Sequence, residues 1–65
     1  MLRIGELREA HKLTQTMLAN KANLTSAYIN ELERGRKTNP SWKTLEKIAN
    51  ALNVEIGELF EKKVS

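Results

Sequence analysis

The side chains of this 65-residue chain that could do chemistry are donors, acceptors and cations rather than nucleophiles or metal ligands. Arg34, Arg36, Lys37, Lys43 and Lys47 fall within residues 34–47, where Glu46 is the sole acid, giving a local charge of +4. Residues 1–33 balance to zero, and residues 48–65 carry −1. A basic block in a small domain draws polyanions to one place. The plainer account is a solvated loop that happens to be basic. Just upstream, Ser26, Ala27, Asn30, Glu31 and Arg34 recur at helical spacing and offer short polar groups on one side.

Other chemistries find little support. There is no cysteine, which excludes a disulfide and a thiolate metal site, and a lone histidine excludes an imidazole cluster. No cofactor or metal is expected. Glu55 and Glu58 are close enough in sequence to share a helical face. No cleft is expected beside them, and no second acid–base group of different character, so an enzyme is not expected. The apolar runs are two or three residues long, against ~20 needed to cross a bilayer. Arg3, Glu6, Arg8 and Glu9 interrupt the first ten residues, so no signal peptide is read there. A soluble, cytoplasmic protein without membrane contact is the expectation.

The elements that must position the polar side are helical, and polar residues mark their ends. A first helix over about Leu2 to His11 places Ile4 and Leu7 on one face, with His11 in its last turn. Thr14 reads as an N-cap for a helix over Gln15 to Ala22, whose inner face is Leu18, Ala19 and Ala22. Asn23 tolerates the left-handed conformation that ends a helix. Thr25 caps a third helix, Ser26 to Arg34, and Leu24 before the cap can pack on Ile29. Gly35 stops that helix.

Residues 35–41 read as a polar basic loop, in which Pro40 keeps Asn39 out of helix. Ser41 caps a fourth helix, Trp42 to Leu52, with a stripe of Trp42, Leu45, Ile48, Ala49 and Leu52. The spacing of Trp42 to Leu45 assigns the tryptophan to the core. Asn53 ends this helix, and a short fifth one, about Ile56 to Glu61, offers Ile56, Leu59 and Phe60 to the core. Residues 62–65 are expected to fray. The expected fold is all-α, a compact five-helix bundle forming a single domain over residues 1–65. Within it, residues 15–34 make two short helices joined by a tight turn. Ile29 and Leu32 lock the second helix inward, which leaves its outer face as a narrow cylinder that fits a DNA major groove, ~12 Å wide.

The stretches LTQTMLANKANLT, SAYINELERG and NPSWKTLEKIANALNVEIGELF resemble the λ repressor-like helix-turn-helix proteins of the Cro and Xre type. Leu13-Thr14-Gln15, Ile29 to Gly35 and Pro40 to Ala49 follow that family's pattern in order and spacing, and the likeness covers about residues 2–60. It implies a sequence-specific regulator of transcription, a repressor, that binds double-stranded DNA as a homodimer with its third helix in the major groove.

By position, Gln15 resembles the family glutamine on the phosphate backbone. Ser26, Ala27, Asn30 and Glu31 occupy the base-reading positions. Arg34, Arg36 and Lys37 occupy the backbone-clamping region, and Arg8 pairs with Glu33. Asn30 has the donor and acceptor that match adenine N6 and N7, and Glu31 can accept from a cytosine N4 amine. Ala27 can touch a thymine methyl, or simply let the backbone approach. Tyr28 can donate its hydroxyl to a phosphate or pack at the core edge. Lys43 joins the phosphate contacts.

Asn23 and Asn53 stand where the family often has glycine. Ser26, Ala27 and Glu31 stand where longer polar residues are common, which shifts weight toward readout of DNA shape. The competing reading is a protein-interaction module, such as the antitoxin of a toxin–antitoxin pair. Met17 and the apolar set Val54, Ile56, Leu59 and Phe60 would then meet a protein partner.

Overall fold

The computed structural model describes residues 2–35 and 40–60. Four α-helices follow in order, α1 (Ile4–Ala10), α2 (Gln15–Ala22), α3 (Ser26–Glu33) and α4 (Trp42–Leu52), and a 3-10 turn over Ile56–Leu59 closes the chain of elements. Three hydroxyl caps set three helix starts. Thr14, Thr25 and Ser41 accept from the backbone N–H of Met17, Tyr28 and Thr44 at 3.0, 3.1 and 3.1 Å. Each satisfies an amide that the helix itself leaves without a partner.

The ends follow the same local logic. Asn23 and Asn53 sit at φ 58° and 57°, and Gly35 at 78°. In that region asparagine has a short polar side chain and glycine no Cβ, so both relieve the clash with the carbonyl. Lys12, after α1, adopts φ 58° as well. Nothing in its residue type announces this. The turn is held by Leu13 N–H donating to Arg8 O at 3.0 Å and by Lys12 N–H donating to Glu9 O at 2.9 Å.

One core gathers every element. Ile4, Leu18, Ala19, Ala22, Ile29, Leu32, Leu45, Ile48, Ala49, Leu52 and Leu59 are buried. Leu24 packs partly buried against this cluster, as a staple onto Ile29 requires. Ala19 and Ala22 are the small residues that let α2 lie close to its neighbours. No side chain with a charged or polar group is buried among the described residues.

Two expectations need correction, and a third is refined. Trp42 is 61% exposed, so the stripe of α4 begins at Leu45. Trp42 is the first residue of its helix, one turn ahead of the packed segment, and correct facing at a helix tip does not supply a neighbour to cover it. The fifth helix is present, as a single 3-10 turn over Ile56–Leu59. Phe60, beyond that turn, is 41% exposed, because its backbone is extended and forms an isolated antiparallel bridge with Leu2. Leu59 fills the core as its position predicts, while its carbonyl accepts from Arg3 N–H at 2.7 Å. Glu61 and residues 62–65 lie outside the described residues.

Candidate nucleic-acid interface

Helix α3 is pinned from behind by Ile29 and Leu32, both buried. The residues on its other side stay accessible. Ser26, Ala27 and Arg34 are exposed, and Asn30, Glu31 and Tyr28 are half-buried. Tyr28 packs against the core edge. Gln15 is half-buried at the first position of α2, and Lys43 is exposed in the first turn of α4. Arg36 and Lys37 lie outside the described residues.

The orientation of α3 rests on a polar network as well as on its apolar face. Arg8 of α1 donates from Nε to Glu33 Oε2 at 2.7 Å and from Nη2 to Glu33 Oε1 at 3.2 Å. Its third arm, Nη1, donates to the Leu13 carbonyl at 2.7 Å. One guanidinium therefore ties α1, the turn into α2, and the end of α3, using the fork geometry that lysine lacks. The two side chains retain only 13% and 12% exposure. Hydrogen bonding to Glu33 leads in raising the Arg8 pKa above its ordinary value, against a smaller opposing effect of burial. A raised arginine pKa stabilises the fold at all pH below the unfolded value and is lost only as pH rises through the folded one. The pair thus contributes constantly across the neutral range.

Gln15 extends the network outward. Its Nε2 donates to Glu33 Oε1 at 3.0 Å and to Asn30 Oδ1 at 3.2 Å. The sequence anticipated the Arg8–Glu33 pair but not these two contacts. It also missed Gly5, where an added Cβ would stand 3.1 Å from Glu33 Oε1. A glycine inside a helix costs roughly 1 kcal/mol relative to alanine, and here it makes room for the carboxylate. The signal available in the sequence was a glycine within a short amphipathic helix, which marks a close approach without saying to what.

The two glutamates weighed for acid–base work lie together at the surface. Glu55 and Glu58 line an open depression with Glu46, Asn50 and Asn53, so a concavity does exist where none was expected. Its titratable groups are all carboxylates, and Glu58 Oε2 accepts from Glu55 N–H at 3.0 Å as part of the turn. Among the described residues no group of His, Cys, Asp and Glu is arranged to hold a metal ion. No described helix is long and apolar enough to cross a membrane.

Comparison with known proteins fits this architecture. The chain is 46% identical over 57 residues to the immunity repressor protein of Bacillus phage phi105, covering 88% of this chain and 39% of that one. It thus spans about two fifths of the length of that relative. The crystal structure of the restriction-modification controller protein C.AhdI from Aeromonas hydrophila superposes with a TM-score of 0.85 at 41% identity, over 89% of this chain and 86% of that one. The structure of the biofilm regulator SinR in complex with DNA superposes with a TM-score of 0.84 at 35% identity, over 88% and 90% of the two chains. The helix-turn-helix family pattern matches residues 4–59, nearly all of the described core. With its capped α2, its asparagine-marked corner and its outward-facing α3, the chain belongs to the helix-turn-helix family, on the λ repressor-like side of it.

Proposed function

We propose that residues 1–65 form a single DNA-binding domain of a transcriptional regulator, a repressor acting in the cytoplasm, with no catalytic activity. The observation that carries this reading is the uncovered polar side of α3, in a fold that superposes on a regulator bound to DNA. In this reading α3 enters the major groove, and Ser26, Ala27, Asn30 and Glu31 meet base edges. Phosphates are held by Arg34, Arg36, Lys37 and Lys43, by the Tyr28 hydroxyl, and by the N-terminal end of α2 at Gln15. Two copies bind a palindromic site with half-sites ~34 Å apart, as the symmetry of such dimers requires.

Cations on phosphates release counterions, so affinity should fall linearly with salt on logarithmic axes. Titration against duplex DNA at several salt concentrations measures the slope. Replacing Arg34 by alanine should weaken binding to all sequences alike and reduce the slope by about one. Duplex binding that is absent, or indifferent to salt, defeats the reading.

A further inference from the structure

The polar network does more than hold α3, because it has a direction. A carboxylate oxygen accepts and cannot donate. Glu33, itself held by Arg8, therefore requires Gln15 to turn its nitrogen inward, and Nε2 stands 3.0 Å from Glu33 Oε1. The second hydrogen on that nitrogen meets Asn30 at 3.2 Å. Asn30 must then answer with its oxygen, which places its Nδ2 amine on the other arm of the amide. No partner for that amine occurs among the described residues. Each group in the series Arg8, Glu33, Gln15, Asn30 sets the polarity of the next. The series begins at an ion pair of fixed sign and ends at a half-buried residue on the outer side of α3.

We propose that this relay fixes Asn30 as a hydrogen-bond donor toward the groove, so that it selects guanine, and that Gln15 is the positioning residue that makes it do so. The inference rests on the DNA-binding reading above and deepens it. A freely turning asparagine amide suits adenine, whose N6 donates beside an accepting N7. An amide whose oxygen is turned toward Gln15 keeps its two hydrogens for the groove, and guanine presents two acceptors, O6 and N7, where adenine presents only N7 beside a donor. Cytosine offers only a donor on that edge and is rejected, and thymine offers the single acceptor O4. Gln15 then acts on specificity through another side chain, in addition to any phosphate contact of its helix end.

Selection of binding sites from random duplexes, followed by competition titrations, tests this with the full chain. The wild type should select guanine at one position of each half-site, and exchange to adenine there should weaken binding roughly tenfold. Gln15→Ala should abolish that discrimination at the same position that Asn30→Ala relaxes. Gln15→Lys should retain it, because an ammonium can only donate to Glu33 and Asn30. Asn30→Asp should reverse the preference toward a base that donates, since the carboxylate carries no hydrogen outward. Thermal melting of each variant separates a change of preference from a loss of fold.

A Gln15→Ala protein that weakens all sequences equally and keeps the wild-type consensus overturns the relay. So does a wild-type preference for adenine at the position that Asn30 reads. Failure of the wild type to bind any duplex in a salt-dependent manner would instead remove the DNA-binding reading, leaving the two failures distinguishable.

Discussion

Helices α3 and α4 start alike and are held differently. Each opens on a hydroxyl cap with one well-formed bond to the backbone. Helix α4 then buries Leu45, Ile48, Ala49 and Leu52, whereas α3 buries only Ile29 and Leu32. A helix that must keep one side free cannot surround itself with apolar neighbours. The shortfall in α3 is met at its end by Glu33, gripped by Arg8 from α1 and Gln15 from α2. Apolar burial is nondirectional and tolerates small rotations. A bidentate ion pair does not, and it fixes the roll of α3 about its own axis. The contrast teaches that the apolar packing of α4 supplies stability alone, while the polar network supplies orientation as well.

The comparison breaks most sharply at the centre of α4. Ile48 has no exposed surface, and Ile48→Ala should cost about 2–5 kcal/mol through lost transfer energy and the cavity left behind. A domain of this size has only ~3–10 kcal/mol in total. Chemical denaturation should show the loss, while the fraction that remains folded keeps its DNA preference. An Ile48→Ala protein of wild-type stability would mean that the core is carried elsewhere.

Glu33→Ala tests the other side. Removing one partner of a largely buried pair should cost about 3 kcal/mol, the lower limit for full burial, since roughly an eighth of each side chain stays in solvent. Unlike the core variant, it should also blur base selection, because Gln15 loses the acceptor that orients it. Equal selectivity in the two variants would show that apolar packing alone sets the roll of α3.

The smallest effect is expected at the cap of α3. Thr25→Ala should cost about 1 kcal/mol. Amide hydrogen exchange in the first turn of α3 should quicken locally, while α4 exchanges with global unfolding. Uniform quickening across both helices would place the cap within the cooperative core.

Much of the fold was legible because its signals are local. The bounds of α2 and α4, their threonine and serine caps and the left-handed asparagines Asn23 and Asn53 each follow from a residue and its immediate neighbours. The left-handed Lys12 was not legible, since lysine has no intrinsic preference for that region and the turn imposes it. For the candidate interface, the face of α3 follows from helical spacing, and Arg8 with Glu33 follows from family resemblance. The Gln15 contacts to Asn30 and Glu33 had no signal to carry them, because they join residues 15 and 18 positions apart through side chains alone.

By itself the sequence determined where α2 and α4 start and stop and which side of α3 is polar, because caps, turn residues and the 3.6-residue period act over a few bonds. Only the tertiary structure decided that Trp42 and Phe60 remain in solvent. It alone decided that the amide of Asn30 meets a partner from another helix. Burial and side-chain polarity depend on which distant element arrives opposite, and a one-dimensional pattern records the face a residue occupies without recording what faces it.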